Sequence, residues 1–538
     1  MSESATLLSV EEATIADLQA AMSSSRLTAL DLVRQYTERI RQLDQAGPKL
    51  NSIVEVNPDA EEIARGLDAE RADGHVRGPL HGIPVTLKAN IDTHDRMQTT
   101  AGSLALVGAP PLRDATAAKR LREAGAVILG KTNLSEWANF RSTHSSSGWS
   151  GAGGQCANPY VLDRNPCGSS SGSAASVSAN LCVAGIGTET DGSIVCPAHV
   201  NGVVGLKPTV GLVSRAGVVP ISHSQDTVGP HARTVADAAA VLGALVGVDP
   251  RDPATAASAG RFFTDYTRFL DPNGLRGARI GVLRGGGTTG YSDETDAIYE
   301  HAIAAMRAAG AVIVEPADLP DFDELAASSD EITVLVYEFK RDLNAYLETR
   351  AGVPIRTLAD AIAFNDSHAD RELEHFLQEL LVLADADPFT EAQYEAALAN
   401  GRRLGGADGI DAALAQFEVD ALVAPTGAPS WTTDHVNGDD FLGASSSPAA
   451  MAGYPIVTVP MGDSLGLPVG LSFIGTAYSE PTLLKLASGF EAATKARIVP
   501  RFLSALPGVA SGASGTEGES PPEPGSARRE APETTGSA

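Results

Sequence analysis

Two neighbouring stretches of the chain, NPCGSSSGSAASVSANL (165–181) and GIGTETDGSIVCPA (185–198), carry its strongest structural signal. Each places serines among glycines, beside a helix-prone or β-prone run. Small side chains let backbone segments approach closely, and glycine neighbours leave main-chain N–H groups accessible. The pattern predicts a crowded site in which serine hydroxyls and main-chain groups lie together.

Hydrolysis of an amide needs a nucleophile, a base and donors for the developing oxyanion. The loop at residues 190–193 could direct several N–H groups at one oxygen. Such a segment is also typical of a structural turn or a phosphate cradle. However, neither of the two stretches contains G-x-x-x-x-G-K-[ST], and Gly185, Gly187 and Gly192 do not form G-x-G-x-x-G. A nucleotide-binding α/β protein stays as the alternative from the residues alone.

The segment GSSSG (168–172) formally matches G-x-S-x-G, the nucleophile elbow, which would nominate Ser170 in a Ser-His-Asp triad. An elbow follows a buried strand directly, whereas this segment follows turn-forming residues at 163–166. Three serines between the glycines also make a chance match easy. The sequence therefore disfavours this interpretation.

Secondary-structure signals alternate along the chain and favour an α/β fold. Residues 320–405 are mostly helical, charged and less regular, which suggests a variable cap over a pocket. Residues 508–538 contain almost no large apolar residue, so we expect a disordered tail after a domain spanning 1–507. The other predicted elements are two helices over 14–44 divided near Ser23–Ser25, a strand at Ile83–Leu87, a helix and strand over 116–134, a parallel strand–helix–strand unit over 277–315, and strands followed by a last helix from 420 onward.

Acidic residues outnumber basic ones, with 67 Asp and Glu against 40 Lys and Arg, for a formal net charge of −27. A surface this acidic repels phosphate backbones, which argues against nucleic acid as a partner. No apolar stretch reaches ~18 residues without polar interruption, so no membrane span is expected. The N-terminal segment is acidic and lacks an apolar region after a basic start. We therefore expect no secretory signal and a cytoplasmic protein.

The spacing of the four cysteines matches no zinc pattern and predicts free thiols in a reducing cytosol. Three histidines near the two stretches are expected to be structural. Glu189 and Asp191 have no histidine at ligand spacing, so no metal is predicted. The cysteines are Cys156, Cys167, Cys182 and Cys196, and the histidines are His199, His223 and His231.

Taken together, CGSSSGSAASVSANL and GTETDGSIVCPAHVNGVVGLKPTVGLVSRAGVVP (within 167–220) resemble the signature stretch of the amidase signature family. GPLHGIPVTLKANIDT (78–93) is similar to the family's lysine strand. DALVAPT (420–426) and AAMAGYPIVTVPMG (449–462) are similar to its closing strands. The resemblance implies an α/β fold with a large mixed β-sheet core flanked by helices on both faces, and an amidase that uses no cofactor or metal.

Carried over residue by residue, the resemblance implies a Ser-Ser-Lys triad. Ser193 is the nucleophile, Ser169, 24 positions earlier, relays the proton, and Lys88 is the base. It also implies a cis peptide bond between Gly168 and Ser169. The other implied site residues are the N–H groups of Thr190, Asp191, Gly192 and Ser193 as oxyanion donors, Ser170 as a supporting hydroxyl, and Ala138, whose carbonyl receives the substrate N–H.

Such a triad makes a physical demand on the lysine. A lysine with the ordinary pKa of ~10.4 is protonated at neutral pH, and desolvation by burial can lower its pKa into the range of a base. Lys88 follows a β-prone run that can bury its stem. The residues alone do not prefer Lys88 over Lys131 or Lys207, each of which sits in a similar Gly- or Thr-flanked turn.

Differences from the family pattern restrict the class of amide that is expected as substrate. Asp191 replaces a glycine, Val195 an arginine, and Cys167 the first glycine of GGSSGGS. Together with NLSEWANFRS (133–142), these features resemble bacterial peptide amidases, which remove ammonia from C-terminal carboxamides. The expected partner is then a small-molecule or peptide amide, bound by a monomer or homodimer. The alternatives are a general aliphatic or aryl amidase, a glutamine-hydrolysing amidotransferase subunit, and a non-catalytic protein on the same scaffold.

Overall fold

The computed structural model describes residues 9–506. Its strands are β1 Ile53–Val56, β2 Pro84–Lys88, β3 Val127–Thr132, β4 Trp149–Ser150, β5 Gly154–Gln155, β6 Ala184–Glu189, β7 Val204–Lys207, β8 Thr227–Ala232, β9 Arg279–Val282, β10 Val312–Val314, β11 Ala421–Pro425, β12 Ile456–Ser464 and β13 Leu467–Ile474.

The α-helices are α1 Ile15–Ser23, α2 Ala29–Arg39, α3 Ala60–Ala72, α4 Thr116–Glu123, α5 Ser171–Ser178, α6 Val195–Val200, α7 Val235–Leu245, α8 Asp293–Ala308, α9 Phe322–Ala327, α10 Asp330–Glu348, α11 Leu358–Ser367, α12 Ala369–Glu372, α13 Glu379–Asp385, α14 Glu391–Arg402, α15 Asp411–Phe417, α16 Ser447–Ala452 and α17 Glu480–Thr494. Two π-helical turns, Ile40–Asp44 and Arg403–Ile410, and four short 3-10 turns accompany them.

Eleven strands form one mixed sheet in the order β1-β3-β2-β6-β8-β7-β12-β13-β11-β9-β10, and β4 and β5 pair separately. The neighbours β3, β2 and β6 are parallel, as are β11, β9 and β10. The strands between these groups are antiparallel. The predicted α/β fold with a large mixed sheet is confirmed.

Helices cover both faces of this sheet, as β11 illustrates. Val423 belongs to the apolar cluster that contains Phe490 of α17. Leu422, the preceding residue, belongs to a second cluster with Ala449 of α16 and Ala413 of α15. Because successive strand residues point to opposite faces, each face of β11 is buried by a different set of helices.

The locally coded elements form as predicted. α1 and α2 begin at capping boxes, in which Thr14 and Thr28 each exchange hydrogen bonds with the residue three positions on. The unit over 277–315 becomes β9, α8 and β10, with the two strands parallel. These boundaries follow from capping and turn chemistry, which is local and therefore readable from sequence.

The segment predicted as a helical cap, 320–405, contains α9 to α14 and covers one side of the loops near the sheet edge. Phe339 and Leu343 of α10 share an apolar cluster with Phe140 and Ile221. The rings of Phe140 and Phe339 lie 5.0 Å apart. α10 is thus packed against the loop that contains Ala138. The extent of the domain over 1–507 stays a prediction, and the expected tail at 508–538 lies outside the described residues.

The cysteine prediction is wrong for two of the four residues. Cys167 and Cys196 form a disulfide, whereas Cys156 and Cys182 are free and buried. The fold brings the loop before α5 against α6, although 29 positions separate the two cysteines. The spacing of the cysteines in the sequence does not predict that these two segments contact each other. Disulfides are typical of oxidising compartments, so cysteine usage does not support a reducing cytosol.

Within residues 9–506, no helix combines the length and the hydrophobicity needed to cross a bilayer.

Candidate active site

The edge of the sheet at the ends of β2 and β6 positions the predicted residues. β2 and β6 are adjacent and parallel, so Lys88 and Glu189, their last residues, lie at the same edge. α5 begins two residues after Ser169, and α6 begins two residues after Ser193. Two loops and two helix N-termini therefore converge on the lysine.

Lys88 is fully buried and contacts a serine hydroxyl directly. Its Nζ donates to Ser169 Oγ at 2.7 Å, to Thr188 Oγ1 at 2.8 Å and to the Thr188 carbonyl at 3.2 Å. Three acceptors satisfy a protonated amine. A neutral amine could retain the two contacts with Thr188 and accept the proton of Ser169. The geometry therefore suits both protonation states.

Burial lowers the pKa of Lys88 from 10.5 to about 7, and the carboxylates of Asp226 and Glu189 oppose this shift. Desolvation dominates because the fold removes the ammonium from water and provides no direct ion pair. An amine with a pKa near neutrality is a competent base.

Glu189 forms hydrogen bonds with the end of the loop between β6 and α6, a role that the sequence did not predict. Glu189 Oε2 accepts hydrogen bonds from the N–H groups of Ile194 at 2.6 Å and Val195 at 2.9 Å. Gly192 adopts φ +75°, a left-handed conformation that favours glycine. In residues 9–506, the N–H groups of positions 190–193 find no hydrogen-bond acceptor. Four adjacent N–H groups of this loop are thus free to bind an anion.

Ser169 and Ser170 lie on the opposing loop. The peptide bond between Gly168 and Ser169 is cis, as the resemblance implied. Ser170 N–H donates to the Ser193 carbonyl at 3.2 Å, and Ser170 Oγ donates to the Thr188 carbonyl at 2.9 Å. The hydroxyl of Ser170 is therefore committed to structure, which argues against the elbow. Across the described residues, no hydrogen bond joins the hydroxyls of Ser169 and Ser193.

Two further contacts fix the oxyanion loop. Thr190 Oγ1 donates to Asp226 at 2.6 Å, and Asp226 also accepts from the N–H groups of Ile221 and Ser222. Burial raises the pKa of Asp226 to about 6. Sequence reasoning missed Asp226, because 36 positions separate it from Thr190.

A cavity of about 460 Å³ is lined by Ser193, by both cysteines of the disulfide and by Ala138. Ala138 has φ +54°, within a short turn of left-handed residues. A larger cavity of about 1140 Å³ lies elsewhere, against residues 215–226. It touches none of the three predicted triad residues, so the smaller cavity is the candidate active site.

Within residues 9–506, none of the three histidines forms a hydrogen bond with Ser169, Ser170 or Ser193. His231 contacts the Ile194 carbonyl at 3.0 Å, and His223 contacts Asp342 at 2.9 Å. His199 departs from the expectation of a satisfied side chain: neither ring nitrogen has a partner in the described part of the chain, and burial lowers its pKa to about 3. The lowered pKa keeps the His199 ring neutral. In the described residues the ring also forms no hydrogen bond with a hydroxyl that it could activate.

Within residues 9–506, one group of side chains has ligand atoms close enough for a metal: His223, Glu338 and Asp342. Glu338 already accepts from the hydroxyls of Ser222, Ser224 and Tyr394. His223 Nε2 lies 3.2 Å from Glu338, and the hydrogen bond with Asp342 and the charge of Glu338 raise the pKa of His223. In these contacts the His223 ring bridges the two carboxylates.

Comparison with known proteins identifies the family of the chain. The amidase family profile matches residues 31–484, and the chain belongs to that family. The X-ray structure of native peptide amidase from Stenotrophomonas maltophilia is 55% identical and superposes with a TM-score of 0.87, with 91% of this chain and 99% of that chain covered. The chain is accordingly an enzyme of the amide-hydrolysing class.

Two further relatives carry other names. A "Probable amidase" of Arabidopsis thaliana is 43% identical over 505 residues, which cover 92% of this chain and 93% of the relative. A glutamyl-tRNA(Gln) amidotransferase subunit of Synechococcus sp. is 35% identical over 475 residues, which cover 87% of this chain and 89% of the relative. Similarity over nearly the whole chain therefore extends to proteins whose names describe different activities.

Proposed function

We propose that the chain hydrolyses the C-terminal carboxamide of peptides to a carboxylate and ammonia through an acyl-enzyme. Ser193 is the nucleophile, Ser169 the proton relay and Lys88 the base. The observation that carries the proposal is the 2.7 Å contact between a fully buried amine and the Ser169 hydroxyl.

The chemistry follows from the protonation state of the lysine. Neutral Lys88 takes the proton of Ser169 while Ser169 takes the proton of Ser193, whose oxygen attacks the amide carbon. The N–H groups of residues 190–193 stabilise the oxyanion. When the tetrahedral intermediate collapses, the proton returns through Ser169 to the departing nitrogen and ammonia leaves. Water then attacks the ester carbon of the acyl-enzyme, and the same relay accepts its proton.

The cavity supports a peptide rather than a minimal amide. Its walls combine apolar surfaces from Phe140, Leu335 and Trp431 with several hydroxyls, and a volume of about 460 Å³ accommodates the last residues of a peptide. Similarity to the Stenotrophomonas maltophilia peptide amidase supports the same substrate class.

Ammonia release from a panel of amides tests the proposal. We expect a blocked dipeptide amide to be preferred over glutamine, a simple aliphatic amide and an aryl amide. Hydroxylamine should divert the peptide product to a hydroxamate, because an acyl-enzyme partitions between nucleophiles. Glutamine as the preferred substrate would favour the amidotransferase alternative instead, and no hydroxamate at saturating hydroxylamine would argue against the acyl-enzyme.

A further inference from the structure

We propose that the cavity beside Ser193 selects amides by charge, with the Asp191 carboxylate as the selecting group. It disfavours substrates that carry a carboxylate next to the scissile amide, favours neutral or cationic ones, and speeds release of the carboxylate product. The inference rests on the proposed function and narrows its substrate class.

The charged side chains that line the cavity are all acidic. Among the residues that line it, the ionisable side chains are Asp191 and Asp439, and no Lys, Arg or His of the described chain takes part. Lys88 lies beneath Ser169 and is fully buried. A substrate carboxylate in the cavity would therefore meet like charge without a cation to pair with.

The two carboxylates differ in their contacts and in their place relative to the nucleophile. Asp439 accepts from Ser147 N–H, Asn165 Nδ2 and Trp431 Nε1. Asp191 lies two residues before Ser193, its Oδ2 accepts from Ser447 Oγ at 2.6 Å, and Glu331 is its other hydrogen-bond neighbour. Asp191 is therefore the lining carboxylate nearest in the chain to the nucleophile, and it acts on the substrate by its charge.

A second carboxyl group lies beside Asp191. Glu331 at the start of α10 accepts from Gln225 Nε2 at 2.8 Å. Burial, followed by the neighbouring Asp191 carboxylate, raises the pKa of Glu331, which favours the neutral acid at Glu331. Lys207 contributes positive charge from behind the loop, but its Nζ donates to the Tyr454 carbonyl and does not line the cavity.

This arrangement matches the charge change of the reaction. The C-terminal amide of a peptide is neutral, whereas the product is an anion, so the product is repelled from the cavity that bound the substrate. Free glutamine carries a carboxylate before any reaction, and the cavity offers that group no cation. The cavity can pair with the ammonium of glutamine but not with its carboxylate, whereas a peptide amide presents no carboxylate at this position.

The test uses three blocked dipeptide amides that differ only in the residue bearing the amide: lysine, leucine or glutamate. In the wild type we expect kcat/KM to fall from lysine to glutamate by about tenfold or more, as a charge pair in a partly solvated site allows. Asp191→Asn keeps an acceptor for Ser447 and removes the charge. This variant should have a lysine-to-glutamate ratio of kcat/KM at least fivefold smaller than that of the wild type. The product acid should inhibit the variant more strongly than the wild type.

Two controls separate charge from damage. Glu395 is an exposed acid of α14 without a hydrogen bond or ion pair in the described residues, so Glu395→Gln removes one charge and should leave the ratio unchanged. The leucine substrate reports any general loss of catalysis. Asp191→Gly supplies a second uncharged variant, and the wild-type ratio stands even if neither variant folds.

The outcomes are distinct. A wild type that fails to hydrolyse the leucine amide contradicts the proposed function. A wild type that hydrolyses it but treats lysine and glutamate amides alike contradicts the charge selection only. Folded Asp191 variants that retain the full wild-type ratio would also overturn it.

Discussion

Two neighbouring strands of the sheet, β2 and β3, each bury a lysine, and the two lysines do different things. Lys131 pairs with Leu87 in register and not with Lys88, so the two lysines point to opposite faces of the sheet. Lys131 donates to the Ile91 carbonyl and to Thr99 Oγ1. Lys88 instead reaches the hydroxyl of Ser169.

A lowered pKa by itself does not identify which lysine is the base. Burial lowers the pKa of Lys131 to about 8, close to the value of about 7 at Lys88, and Lys207 behaves like Lys131. The difference lies in the hydroxyl that each lysine contacts. Thr99 Oγ1, beside Lys131, donates to the Ile91 carbonyl and does not line the cavity. Ser169, beside Lys88, precedes Ser170, whose N–H donates to the carbonyl of Ser193. Substitutions at the two lysines and at the groups around them would test this difference.

The largest effect is expected when the hydroxyl at the end of the relay is removed. Ser193→Ala should lower the rate of ammonia release from a peptide amide by about 10⁴–10⁶-fold, because no other described hydroxyl takes its place in the oxyanion loop. Circular dichroism should show an unchanged fold. Ser178→Ala, which removes a buried hydroxyl without a partner in the described chain, is the matched control. Wild-type turnover in Ser193→Ala would refute the triad.

Replacing the two lysines tests the contrast directly. Lys88→Met should lower kcat by about 10²–10⁴-fold, the range of general base catalysis. Lys131→Met should leave kcat within several-fold and instead lower the free energy of unfolding by ~1–3 kcal/mol, because a buried carbonyl loses its donor. Steady-state kinetics and denaturant unfolding measure the two effects. Equal losses of kcat in both variants would remove the distinction between the lysines.

The rise of kcat/KM with pH should follow the deprotonation of Lys88. The base form is the neutral amine, which predominates above its pKa of about 7. Thus kcat/KM should rise about tenfold per pH unit below pH 7 and level off above it. Lys131→Met should keep this profile. A profile that falls between pH 6 and pH 8 would contradict the assignment of the base.

The smallest effect on turnover is expected at the disulfide, which joins the loop of Ser169 to α6. Replacing Cys167 and Cys196 by serine should lower the free energy of unfolding by roughly 3 kcal/mol, as for a cross-link that closes a loop of this length. Denaturant unfolding measures the loss. Cys156→Ser is the control, since that thiol is free. Unchanged stability in the double variant would show that the cross-link adds nothing to the fold.

Much of the architecture was readable from sequence. Capping residues such as Thr14 and Thr28 set helix starts, and apolar runs such as DALVAPT set strands, because both signals are local. The resemblance supplied the order of the motifs and the cis bond at Ser169. The assignment of Ser193, Ser169 and Lys88 as a triad stays a prediction, supported by their convergence.

Other features depend on contacts between distant segments. The disulfide was missed, as were Asp226 beneath Thr190 and Glu331 beside Asp191. No local pattern records that these partners meet, since strand order and helix packing alone bring them together.

By itself, the sequence determined which segments become helices and strands, and where serines and glycines gather. Only the tertiary structure decided which buried lysine meets the hydroxyl of Ser169. Strand register sends Lys88 to one face and Lys131 to the other, and the packing of α5 and α6 places Ser169 within reach of the first. A side chain's chemistry depends on the groups around it, and those groups come from distant parts of the chain.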